Sequence, residues 1–179
     1  MTKTEIISLL TENHKQFTDQ FKLMDENQFI ASMNGKWNAG QQLDHIIRAV
    51  QPVVLAFSLP AFLLKLFFGK ANRPSKSYEK LVEKYQAKLI AGGKASGRFV
   101  PRTISFSKKE KAIKKLDGLV HKLSKKTGAR NENELDEIIL PHPLLGKLTL
   151  REMLYFTAYH AEHHRKNTAG NLEASQLTK

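Results

Sequence analysis

Residues 149–164 read T-L-R-E-M-L-Y-F-T-A-Y-H-A-E-H-H. Thr149 is a good N-cap residue, and Glu152 follows three positions later, the spacing of a capping box. Leu150, Met153, Leu154 and Thr157 then mark one buried row at helical spacing. Three of the chain's seven histidines, His160, His163 and His164, continue the helix. His160 and His164 are four apart and share a face, so both extend the inward row toward a polar end of the core. His163 is rotated about 100° back from His164 and belongs on the rim. The stretch therefore predicts a C-terminal helix that carries imidazoles on its buried side.

The rest of the chain reads the same way. From Glu5 to Met24, apolar residues recur at Ile6, Leu9, Leu10, Phe17, Phe21 and Met24, a helix with one stripe. A loop with Asn34 and Gly35 follows. A second helix opens at Asn38 with Gln41 three residues on, again a capping box. Its apolar face runs through Leu43, Ile46, Ile47, Val50 and Val54, and Pro52 and Pro60 are expected to bend it or end it early. Residues 69–77 are a loop by composition, Tyr78 to Ile90 is a helix, and 92–106 is glycine-rich and irregular. A third capping box is read at Ser107 and Glu110, before a Lys-rich helix that ends at Thr127 and Gly128. This pattern predicts an all-α helical bundle with additional short helices and an irregular middle connection, in one domain over residues 1–179.

Composition narrows the chemistry. The 179 residues are long enough to bury a core. With no cysteine, disulfides and thiolate metal sites are excluded, and any metal must rest on His, Asp, Glu or water. The N-terminal stretch is polar and amphipathic, without a signal peptide's apolar core, so the expected compartment is the cytoplasm. The most apolar run, Val53 to Leu64, contains Ser58 and Pro60 and falls short of the roughly 20 residues a spanning helix needs, which argues against a membrane. The net charge of +12 is concentrated: residues 65–130 hold 19 Lys or Arg against 4 Asp or Glu. Lys dominates this segment and no nucleic-acid motif accompanies it, so a solvated basic surface is the expected reading.

Two imidazoles at i and i+4 suit a divalent metal such as zinc or nickel, but a third ligand is needed to hold it. His45 is the best candidate, early in a well-capped helix beside Leu43, Ile46 and Ile47. The alternative for His45 is a core histidine bonded to Gln41 or Gln42, which are also the expected indirect partners of a metal site. His14 is read among polar residues, His121 on the Lys-rich helix, and His142 in a loop between two prolines.

Two stretches, W-N-A-G-Q-Q-L-D-H (residues 37–45) and H-P-L-L-G-K-L-T-L-R-E-M-L-Y-F-T-A-Y-H-A-E-H-H (residues 142–164), resemble the DinB-like (YfiT-like) superfamily. The resemblance implies a four-helix bundle of up-down-down-up type, often dimeric. It implies nickel or zinc on three histidines, which here would be His45, His160 and His164. Trp37 matches the family's tryptophan and is expected to pack the start of its helix. The chain departs from the family over Pro52 to Phe106, where much of a substrate pocket would lie, so no substrate carries over.

An ion on three neutral imidazoles keeps its full charge and open positions, and can lower the pKa of bound water to about 7. The first expectation is a metal-dependent hydrolase acting on a small molecule. The alternatives are a thiol S-transferase, for which the thiol would come from outside the chain, and a non-catalytic metal-binding or interaction module. Asp44 and Glu162 each adjoin a candidate ligand in sequence but point about 100° away from it on the helix.

Overall fold

A computed structural model describes residues 1–32 and 35–177. The loop expectation at Asn34 lies outside the described residues. The chain forms α1 (Lys3–Lys22), α2 (Glu26–Ile30), α3 (Ala39–Ser58), α4 (Ala61–Phe68), α5 (Tyr78–Ile90), α6 (Lys109–Gly128), α7 (Glu132–Glu137), the strands β1 (Ile139–His142) and β2 (Gly146–Thr149), and α8 (Leu150–Leu177). Helix α1 packs against α6 and α8, and α3 packs against the same pair. These four therefore make a bundle in which α1 and α3 lie on one diagonal, around a core that includes Phe17, Phe21, Leu43, Ile46, Leu116 and Leu154. The all-α bundle expected from the hydrophobic periodicity is present.

Local chemistry explains the starts of the elements that matter. In α3 the Asn38 side chain accepts from the Gln41 N–H, while the Gln41 side chain accepts from the Asn38 N–H. In α8 the Glu152 N–H donates to Thr149 Oγ1 at 3.1 Å, and Thr149 N–H donates to Glu152 Oε2 at 3.0 Å. Glu152 is wholly buried, and Arg73 and the Lys76 N–H also donate to it. Burial alone would raise its pKa; the bonds from Arg73, Lys76 and Thr149 outweigh that and bring it to about 2. This carboxylate pins the 69–77 connection to the start of the histidine helix.

Three expectations need correction. The Ser107 capping box does not form: a 3₁₀ turn occupies Phe106–Lys108, so α6 starts at Lys109 with no side-chain cap, and Ser107 Oγ instead lies 3.1 Å from Ser105 Oγ. Pro52 does not end α3, which runs through it to Ser58. The break comes at Leu59–Pro60, where α4 turns off by 114°. Arg130 holds that break by donating to the carbonyls of Phe57 and Leu59, a cation at a helix C-terminus. His142 is no loop residue: it closes β1, paired with Gly146 in a two-stranded antiparallel hairpin.

The hairpin and the middle connection frame the site. His142 Nδ1 accepts from the N–H groups of Leu144 and Leu145, and Gly146 adopts φ +78°, so a side chain there would strain the turn. The 92–106 connection passes over the start of α3 so closely that a Cβ on Gly40 would sit 3.0 Å from the Ile104 carbonyl oxygen. Asp44 ties this connection down from below, accepting from Arg48 of its own helix and from the Arg102 N–H at 2.6 Å. Among the described residues no single helix is long and apolar enough to cross a membrane. Helices α3 and α4 reach that length only together, across their bend.

Candidate metal centre

Helices α3 and α8 bring His45, His160 and His164 together, and each is 5% exposed. The His160 Nε2 stands 3.1 Å from His45 Nε2 and 3.0 Å from His164 Nε2. One ring nitrogen from each of the three lies within 4.8 Å of the others. The two outer rings are fixed from behind. His45 Nδ1 donates to the Phe99 carbonyl at 2.7 Å, and His164 Nδ1 donates to Gln42 Oε1. In the neutral rings both Nε2 atoms therefore carry lone pairs that face inward.

This donor set fits a divalent cation. His160 can offer at most one Nε2–H, which cannot serve two inward lone pairs well. Imidazole nitrogens about 2.0–2.1 Å from a divalent ion would stand about 2.8–3.4 Å apart, between right angles and the tetrahedral angle that zinc prefers. The two contacts of His160 have that separation. Burial pushes the pKa of His160 and His164 well below the ordinary value, and their neighbouring imidazoles add to the effect. Burial also lowers His45, against the raising influence of its bond to Phe99. All three are thus held in the neutral form that binds metal.

Around the cage the surroundings are aromatic on two sides. The Trp37 ring centroid lies 4.9 Å from that of His45, and Trp37 stacks on His164 at 6.1 Å and 13°. Trp37 does more than pack the start of α3: it walls the cage. Phe156 stacks on His160 at 4.7 Å, and Tyr85 meets the same ring edge-on at 6.0 Å. His45 and His160 line a cavity of about 600 Å³, bounded by α3, α4, α5, the middle connection, the hairpin and α8. His164 is not among its lining residues. The cage therefore opens to the cavity on one side and is closed by Trp37 and Gln42 on the other.

The remaining sequence candidates separate. His163 is half-buried at the rim, with its Nε2 accepting from Asn167 Nδ2 at 3.0 Å. Gln42 reaches the cage, whereas the Gln41 side chain stays in the capping box. The alternative partners for His45 do not apply, since the Phe99 carbonyl takes that place. His121 is exposed. His14 is not among polar residues: it is 1% exposed, its Nδ1 donates to the Leu10 carbonyl at 2.8 Å, and its Nε2 has no partner. Asp44 is engaged by Arg48 and Arg102, and Glu162 by Arg165 and Lys166, so neither carboxylate serves the cage. Sequence reading missed the Phe99 carbonyl, Tyr85 and His142. The first belongs to an irregular connection, and nothing in its sequence marks a backbone oxygen for this task.

A family model of the DinB superfamily matches residues 9–167. No curated protein and no solved structure matches the chain.

Proposed function

The chain belongs to the DinB superfamily, and from that premise we propose that it is a metal-dependent hydrolase of small molecules, with nickel or zinc held by His45, His160 and His164. Membership and the buried three-histidine cage fit divalent-metal binding. The observation that carries the catalytic reading is the opening of that cage onto the cavity through His45 and His160. A structural site would be closed by four protein ligands, whereas three ligands and an open side leave room for reacting molecules. When bound, a divalent ion supplies Lewis acidity and lowers the pKa of water in its shell.

The chain's own residues do the positioning. Phe99 and Gln42 fix the tautomers of His45 and His164, so both Nε2 lone pairs stay directed inward. Trp37 and Phe156 hold ring orientations by stacking. Burial raises the pKa of Tyr85, which is therefore a neutral phenol at the cavity wall. The rest of that wall is mostly apolar, with Lys94, Ser96, Arg98 and His142 as its other polar side chains.

Elemental analysis of the wild type against His45→Ala, His160→Ala and His163→Ala tests the ligand set. Near-stoichiometric metal, lost in the first two variants and kept in the third, is expected. Hydrolytic turnover that survives in metal-free His160→Ala would overturn the catalytic reading. A second reading, thiol S-transfer, draws support from Lys94 and Arg98 beside the cavity, which would attract an anionic thiol supplied from outside. Metal spectroscopy during titration with small thiols distinguishes it. No spectral response at millimolar thiol removes this reading, and absence of metal after reconstitution leaves a non-catalytic module.

A further inference from the structure

The cavity has a shape that narrows what it can hold. One stripe of α3 forms its floor: His45, Ala49, Pro52, Val53, Ala56 and Leu59. From His45 to Leu59 the helix rises about 20 Å, so a volume of about 600 Å³ spread along it is a channel and not a bowl. The floor is low because three of its residues, Ala49, Pro52 and Ala56, are small. Phe68 of α4, Leu89 of α5, Leu140 of β1 and Phe156 of α8 supply the opposite walls. Phe68 is brought there by the 114° turn between α3 and α4, and Leu140 by the hairpin.

Polarity is unequal along the channel. His45 and His160 mark one end, and the floor beyond them, from Ala49 to Leu59, is apolar. A peptide or sugar lying along that floor would find no partner on it for its carbonyls, amides or hydroxyls, because the polar side chains outside the cage, Tyr85, Lys94, Ser96, Arg98 and His142, all stand on other elements. A hydrocarbon chain needs no such partner. Leu55 lines the channel and is 66% exposed, and α4 leaves Phe62, Leu66 and Phe67 exposed nearby. A chain longer than the channel would therefore emerge over apolar surface.

We propose that the ligand of this site is a straight-chain amphiphile: its hydrocarbon body lies along the α3 floor and its polar, reacting end faces His45 and His160. The proposal rests on the catalytic reading above for which end reacts, but not for whether the chain binds.

The test is calorimetric titration of metal-stripped protein with saturated linear carboxylates of six to fourteen carbons. Affinity is expected to tighten about fourfold per added methylene, then level off once the channel is full. Ala56→Trp, at the far part of the floor, should leave short chains unchanged and move the levelling point to a shorter chain. Ala49→Trp, one turn from His45, should weaken every length. Both variants are checked by circular dichroism, and the wild-type series stands without them. Absence of saturable binding, affinity independent of chain length, or equal effects of the two tryptophans on all lengths would overturn the proposal. Metal content is read separately. A length series in a protein that retains no metal sinks the hydrolytic reading and leaves this one. Metal retained without a length series does the reverse.

Discussion

Two adjacent glutamines should behave differently, and the difference follows from where each side chain ends. Gln42 is 4% exposed and its Oε1 accepts from His164 Nδ1, while its Nε2 is 3.5 Å from the Trp37 carbonyl, at the limit of a hydrogen bond. Its interaction energy therefore lies mostly in the link to His164. Gln42→Leu removes the acceptor and leaves the His164 tautomer unfixed. Loss of such a partner typically costs 10–100-fold in metal affinity, or about 1.4–2.7 kcal/mol. The same change strands a buried N–H, which should lower the stability of the metal-free protein by about 1–3 kcal/mol. Gln41→Leu breaks only the capping box, for about 1 kcal/mol of stability, and should leave metal affinity at the wild-type value. Competition of each variant against a chromophoric chelator for zinc or nickel measures affinity, and urea melts measure stability. Wild-type affinity in Gln42→Leu, or an equal loss in both variants, would refute the assignment of Gln42 as the residue that orients His164.

Three other perturbations address charge and burial. Glu152 has its pKa brought to about 2 from an ordinary 4.5. Its contribution is thus present above pH 4.5 and lost as pH falls toward 2, and Glu152→Gln should cost about 3 kcal/mol at pH 7 but little at pH 2. A pH-independent difference in urea melts would count against the ion-pair account. His14 has its pKa pushed down to about 4 by burial; stability is full above pH 6.5 and falls by about 3 kcal/mol on acidification to pH 4. His14→Leu should flatten that slope, as acid titration of the melting curves would show. Trp37 is the only tryptophan and touches two cage imidazoles. Its emission should change with one equivalent of nickel in the wild type and stay constant in His164→Ala.

The legibility of the sequence depended on the range of the interactions involved. Capping boxes at Asn38 and Thr149 pair residues three apart, so the letters alone define them. The box read at Ser107 failed because Phe106 and Lys108 close a tighter 3₁₀ turn first, a choice set by tertiary packing such as Phe106 against Phe29. The pairing of His160 with His164 is fixed by helical period, and each lies in the core as that period requires. The hairpin was hidden by its brevity: two strands of four residues with prolines at 141 and 143 carry almost no alternation. His14 reads as sitting among polar residues because Glu12, Asn13 and Lys15 surround it in sequence, although the stripe through Leu10 and Phe17 places it inside.

The least legible feature is the one that shapes the site. Pro60 begins α4 and Arg130, far away in sequence, bonds the carbonyls at the end of α3. These hold α4 at 114° to α3, with Phe68 over the channel instead of in line with the bundle. Had α3 continued straight through Leu59, the apolar run from Val53 to Phe68 would form one long rod and no wall would face Ala49 and Ala56. Apolar composition at this point therefore encodes a cavity only because a proline and a buried guanidinium turn the chain. Arg130→Met, which keeps the buried stem and removes the charge-assisted bonds to α3, should loosen this corner. It should weaken chain binding more than metal binding, since the cage lies about 20 Å along α3 from the bend. Metal loss equal to ligand loss in that variant would mean that the cage and the channel are one cooperative unit and not two parts joined at His45.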